Sequence, residues 1–146
     1  VAVAFAPNPL VIVANSDHPL SRMASVAIED LAGETLIVRE PGSGTRLAME
    51  EFFDERSIKA RIGMEMGSNE AIKQAVIAGL GISFLSQHTL GLELRAGRLT
   101  ILKVEGTPVM RRWHIVRHKS KHLTPALSAF WDFVLEFAPG YLRTLV

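Results

Sequence analysis

Short apolar runs alternate with amphipathic stretches along this chain. Pro9 to Ala14 (PLVIVA) is a continuous apolar run and predicts a buried strand. NSDHPLSR, 15 to 22, is a turn-rich link, and VAIEDLA, 26 to 32, predicts a short helix stopped by Gly33. TLIVR, 35 to 39, predicts a second strand. The stretch after it places Met49, Phe52, Phe53 and Arg56 on one helical face, with Glu50, Glu51, Asp54 and Glu55 mostly outside, which predicts a helix from about Thr45 to Ser57.

The same alternation continues. RIGMEM, 61 to 66, has strand period, and GSNE then opens a second helix that stops at Gly79. GISFL, 81 to 85, predicts a strand, Gln87 to Arg95 a helix ending near Gly97, and LTIL, 99 to 102, another strand. RRWHIVR, 111 to 117, predicts a further strand. Thr124 and Pro125 supply an N-cap and a first-turn proline, and Leu127, Phe130, Trp131, Val134 and Phe137 follow at helical spacing until Pro139-Gly140. Strands alternating with helices predict an α/β fold with a mostly parallel sheet and right-handed crossovers.

Composition narrows the function classes. With 48% hydrophobic residues in 146, a core is assured, and a net charge of +1 argues against a nucleic-acid footprint over the whole chain. Arg111, Arg112, Arg117, Lys119 and Lys121 form a basic stretch with no acid between Glu105 and Asp132. It reads as a solvated face, with a DNA-contacting patch as the sharper alternative. The absence of cysteine excludes disulfides, thiolate metal sites and cysteine nucleophiles. No apolar run approaches the ~20 residues of a membrane span. The opening VAVAFAPNPL has neither an initiator methionine nor a basic leader, so the chain is expected to be a fragment of something longer.

In an open parallel sheet, ligands bind beyond the carboxyl ends of the strands. Two glycine-containing loops are predicted there, Glu40 to Arg46 and Gly67 to Glu70, and each opens a helix. Unpaired helix N–H groups and the positive end of the dipole suit an anion. Hydroxyls of Ser43, Thr45 and Ser68, or a bidentate grip by Arg46, would add specificity. The plainer alternative is that Ser43 or Thr45 only caps the helix while Gly42 and Gly44 permit the turn. Enzyme signatures do not match: the Walker spacing fails, the dinucleotide pattern meets Leu47 where it needs glycine, and Ser43 is out of frame for a nucleophile elbow. His114, His118 and His122 recur every four residues, but along a strand they diverge over ~25 Å, so no metal site is expected. His18, before Pro19, reads most simply as a turn residue.

Several stretches together resemble one family. NPLVIVANSDHPL (8–20), LIVREPGSGTR (36–46), GSNEAIKQAVIAGLGISFLS (67–86), GRLTIL (97–102) and RWHIVR (112–117) resemble the effector-binding domain of LysR-type transcriptional regulators, most of all the regulators of carbon-fixation (RuBisCO) operons. The resemblance implies a type 2 periplasmic-binding-protein-like fold: two α/β lobes joined by two crossing strands, with the effector in the cleft. Residues 15–117 (core about 24–110) would be the second, Rossmann-like lobe with its hinge strands. Residues 1–14 and 118–146 would be part of the first, with crossings near Val11–Ser16 and Trp113–Arg117. It further implies binding residues Gly42, Ser43, Gly44, Thr45, Arg46, Ser68 and Asn69, with Arg39 and His18 near the hinge. The ligand would be a small anionic metabolite, plausibly phosphorylated. The protein would be a cytoplasmic dimer or tetramer without cofactor or membrane contact, reaching DNA only through an N-terminal winged helix-turn-helix absent from this chain. An incomplete first lobe would leave Phe130, Trp131 and Phe133 poorly covered, favouring dimerisation or disorder. Two alternatives stand beside this: a lobe of an extracellular solute-binding protein, which shares the fold, and an enzyme using Ser43.

Overall fold

The computed structural model describes residues 1–120 and 122–145. Its frame is a six-stranded mixed sheet. Three strands are parallel: β2 (Thr35–Arg39) lies between β3 (Arg61–Met66) and β4 (Ile82–Ser86), and the crossovers are α1 (Gly44–Asp54) and α2 (Asn69–Ile77). β1 (Ala2–Asn15) runs antiparallel beside β4, with Leu10 opposite Ser86 and Val13 opposite Ser83. β5 (Leu99–Ile101) pairs with the far side of β1, again antiparallel, after the short α3 (Gly91–Arg95). β6 (Val109–Val116) pairs with the first half of β1, from Val116 opposite Ala2 to Val109 opposite Leu10. α4 (Pro125–Arg143) packs on β1 and closes the chain.

The predicted parallel sheet therefore holds for β3-β2-β4 and not for β1. The connection 16–34 carries only two 3-10 turns, Pro19–Arg22 and Ile28–Leu31, the second standing where a short helix was expected. Without a helix to carry it back along the strands, the chain stays at one end of the sheet, passes β4 and enters β2 running opposite to β1. β1 is also twice as long as the PLVIVA run. Residues 2–9 pair with β6 on one side only, so Pro7 and Pro9 sit where a missing N–H is tolerated. Val11 to Asn15 pair instead with β4 or β5. The helix predicted over 87–95 is a 3-10 turn, Gln87–Thr89, followed by α3, with a fully buried Leu90 at the break.

The core has two layers, as the pleat demands. Leu10, Ile12 and Ala14 of β1 join Leu36, Val38 and Phe84 under Ala48, Met49, Phe52 and Phe53 of α1. Val11 and Val13 join Ile37, Leu85 and Leu90 under Ile72, Ala75 and Val76 of α2. α2 stops at Gly79, whose φ of 77° lets its N–H reach the Val76 carbonyl at 2.9 Å while Leu80 N–H reaches Ala75 at 3.1 Å. α4 does not stop at Pro139-Gly140 but continues to Arg143. Proline removes one helical N–H, and the Arg143 Nε–H donates to the Pro139 carbonyl at 3.2 Å across that turn. Of the residues expected to be poorly covered, Phe130 and Phe133 are more than half exposed while Trp131 is partly buried, and Phe137 is exposed on the same formed helix.

One charge lies inside the α2 layer. Lys73 Nζ donates to the Thr89 carbonyl at 3.0 Å and meets Glu70 at 2.8 Å and Glu93 at 2.9 Å. Burial pulls the ammonium down, but bonds to the two carboxylates outweigh it and hold Lys73 above the ordinary lysine range. Burial likewise pushes Glu93 up, and the bond from Lys73 outweighs that and holds it below the usual carboxylate range. Stability from Glu93 is thus present above its unfolded value and lost as pH falls through the lower folded value; that from Lys73 is present below the lysine range and lost above it. Lys73→Met strands the Glu93 carboxylate and is expected to cost about 3 kcal/mol near neutral pH, and less in acid, where that carboxylate protonates; urea denaturation at neutral and acidic pH measures the difference.

Candidate functional site

β2 ends at Arg39, and Glu40 to Ser43 turn the chain into α1. The turn closes with Ser43 N–H on the Glu40 carbonyl at 3.2 Å, and Gly42 supplies its left-handed φ of 88°. Ser43 occupies the N-cap position with extended dihedrals, yet its side chain makes no cap hydrogen bond. The first turn of α1 therefore keeps its N–H groups and its cap hydroxyl for something else. The start of α2 differs: the Ser68 hydroxyl accepts from Ala71 N–H at 3.1 Å, so that cap is closed.

A cavity of about 390 Å³ opens onto the start of α1. Arg39, Ser43, Gly44 and Thr45 form one wall, and Asn8 and Leu10 of β1 form its floor. Arg111, Arg112 and Trp113 of β6 form the other wall. The β1–β6 register brings them there, with Arg111 opposite Asn8 and Arg112 opposite Pro7. Asn8 is buried, and its Oδ1 accepts from the buried Ser86 hydroxyl at 2.6 Å. Trp113 lies against His88, ring centroids 5.1 Å apart, and His88 Nε2 donates to the Pro7 carbonyl at 3.0 Å.

The charge of this cavity is one-sided. Three arginines and a helix N-terminus line it, and among the described residues no carboxylate or histidine does. Arg39 is the most constrained: Nε and one terminal nitrogen hold Glu40 at 2.7 and 2.8 Å, and the other donates to Asn69 Oδ1 at 2.9 Å. The bond from Arg39 holds the Glu40 carboxyl below the usual carboxylate range. Arg111 approaches Glu51 at 3.3 Å, with both side chains about half exposed, an arrangement worth little in water. Arg112 makes no ion pair among the described residues.

The profile of the LysR substrate binding domain matches residues 1–139. The chain belongs to that family. A RuBisCO operon transcriptional regulator of Allochromatium vinosum is 52% identical over 137 residues, covering 94% of this chain and 45% of that protein. The HTH-type transcriptional activator CmpR of Synechocystis is 49% identical over 130 residues, 89% of this chain and 43% of that one. This LysR domain thus spans less than half the length of the curated relatives it matches. Among solved structures, the Synechocystis CcmR regulatory domain in complex with 2-PG is 43% identical, with a TM-score of 0.86, covering 92% of this chain and 65% of that one. The QuiR effector-binding domain in complex with shikimate shares the fold at a TM-score of 0.81 and 24% identity, over 99% of this chain and 66% of that one. The resemblance to carbon-fixation regulators holds, and the relatives are regulators rather than enzymes.

The structure sorts the residues expected to bind. Ser43, Gly44, Thr45 and Arg39 line the cavity, and Gly42 makes the turn that aims them. Arg46 does not offer the expected bidentate grip. Its side chain is turned toward β3, with Nε on Glu50 at 2.5 Å and a terminal nitrogen on the Arg39 carbonyl at 2.9 Å and Glu65 at 3.1 Å. Ser68 is spent as a cap, and Asn69 meets the site only through Arg39. His18 lies at the opposite end of the parallel strands: it caps a 3-10 turn through Leu20 N–H at 3.2 Å and meets Glu34 at 3.3 Å, beside the start of β2 rather than its end. The antiparallel course of β1 carries it there. Asn8, Arg111, Arg112 and Trp113 escaped sequence reading as site residues, although the acid-free run after Glu105 marked the two arginines. In that run His114 Nδ1 donates to the Arg112 carbonyl at 3.2 Å and His118 bonds the Ser120 hydroxyl at 2.7 Å, while Lys121 lies outside the described residues.

Arg46 thus ties the loop to the end of β2 and to β3. Arg46→Ala is expected to cost about 1 kcal/mol of stability, seen as a lower urea midpoint, and to change anion affinity much less than a cavity arginine would.

Proposed function

We propose that this LysR domain senses a small phosphorylated acid of the 2-PG kind and that the cavity between α1 and β6 is where it binds. The observation that carries this reading is the gathering of Arg39, Arg111 and Arg112 with the open α1 terminus and no lining carboxylate. Such a site suits a compact anion with more than one charge: helix N–H groups and the Ser43 hydroxyl surround a phosphoryl group, and guanidinium groups pair with it. The likeness to the CcmR regulatory domain solved with 2-PG supports the same chemistry. No helix among the described residues is long and apolar enough to cross a membrane.

The mechanism follows from who owns the walls. One wall belongs to β2 and the start of α1 and the other to β6, which pairs only with the first part of β1. A ligand touching both favours the arrangement in which both fit it, and so shifts the population of lobe arrangements. In the whole protein, an oligomer in the cytoplasm, that shift changes how segments outside this chain hold DNA, and the exposed α4 stripe is a surface on which copies or lobes meet. The lobe division is placed near Pro7–Pro9, with β6 and α4 on one side and residues 10 to about 108 on the other.

Calorimetric titration of the protein with 2-PG tests this. Wild type is expected to bind, and Arg112→Ala to weaken binding by roughly tenfold, the loss of one charge-assisted contact. Undiminished binding in Arg112→Ala, with Arg111→Ala equally silent, removes the cavity from the account.

A further inference from the structure

One arginine of this cation-lined cavity, Arg39, is already bound to a carboxylate that is not part of the lining. Glu40 takes two donors of Arg39 in a bidentate pair at 2.7 and 2.8 Å, yet its own side chain is 41% exposed to solvent. Arg39 has a second tether: it donates to Asn69 at the start of α2, and its backbone ends β2, paired with Met66 of β3. Of the five donors of a guanidinium, Glu40 and Asn69 occupy three. The two that remain belong to a cation whose charge is locally cancelled.

We infer that Glu40 is a built-in competitor for the ligand: it occupies Arg39 while the cavity is empty and must yield it, at least in part, when an anion enters. This rests on the cavity being an anion site. Glu40 lowers affinity and raises the charge a ligand needs to engage Arg39, since a weakly charged carboxylate gains little over the one already there. Arg39 keeps its place when Glu40 leaves, because Asn69 and the strand hold it. Glu40 is thus a specificity-determining residue that repels, while Ser43, Arg111 and Arg112 attract.

The experiment is calorimetry on wild type, Glu40→Gln and Arg112→Ala, with 2-PG and, separately, inorganic phosphate as probes, at low and high salt. Glu40→Gln is expected to bind both probes about two- to fivefold more tightly at low salt, the scale of one solvent-exposed ion pair. The gain is expected to shrink at high salt, where such charges are screened, with the thermal midpoint nearly unchanged. A merely structural Glu40, holding Arg39 in place, gives the opposite sign: weaker binding and a lower midpoint. Equal or weaker binding in Glu40→Gln overturns the inference. If 2-PG fails to bind wild type but phosphate binds, the effector reading falls and the comparison on phosphate still decides the role of Glu40. If neither probe binds either form, both readings fall.

Discussion

β1 pairs with β4 and β5 over its second half and with β6 over its first, with no break between them. Side chains alternate along a strand, so from Ala6 onward, past the register shift between Ala4 and Ala6, one continuity assigns faces on both sides of the change of partner. Leu10 and Ile12 go to the α1 side, and Asn8 follows two residues earlier on the same side. Its partner Arg111 is then delivered beside the start of α1. A register slip of one residue would send Asn8 and Arg111 to the other face and leave the α1 terminus facing nothing. The cavity is therefore a product of strand pairing as much as of the glycine-rich loop.

The loop contributes by what it leaves unused. A serine at an N-cap ordinarily bonds the helix it starts. Ser68 does so and Ser43 does not, although both precede helices at the carboxyl ends of neighbouring parallel strands. One site is thereby closed and the other open. Individual contributions are small, about 0.3–1 kcal/mol for an exposed dipole end, so recognition depends on several partners meeting in one place.

What was legible in the sequence was whatever repeats. The faces of α1 and α2, the strands between them and the position of REPGSGTR at a strand end all follow from period and from glycine placement. Rotation of a side chain does not. Arg46 sits in the loop the sequence picks out, but Glu50 of α1, the Arg39 carbonyl of β2 and Glu65 of β3 hold its guanidinium. Nor does strand direction: whether 16–34 crosses the sheet depends on a helix that residues 26–32 fail to complete, and His18 was misplaced with it. Asn8 was invisible because one amide in an apolar run carries no pattern until Ser86 is set against it, 78 residues away.

Trp113 gives the cavity an observer of its own. The chain has two tryptophans. Trp131 lies near Arg117 on the α4 side, 5.7 Å from guanidinium carbon to ring centroid. Trp113 is part of the cavity wall and rests on His88, which is tied to the very stretch of β1 that passes from one pairing to the other. An indole's emission depends on what its ring touches, so filling the cavity and bending the β1–β6 ribbon both write into the light of one residue. The molecule carries an optical readout of its state without any label.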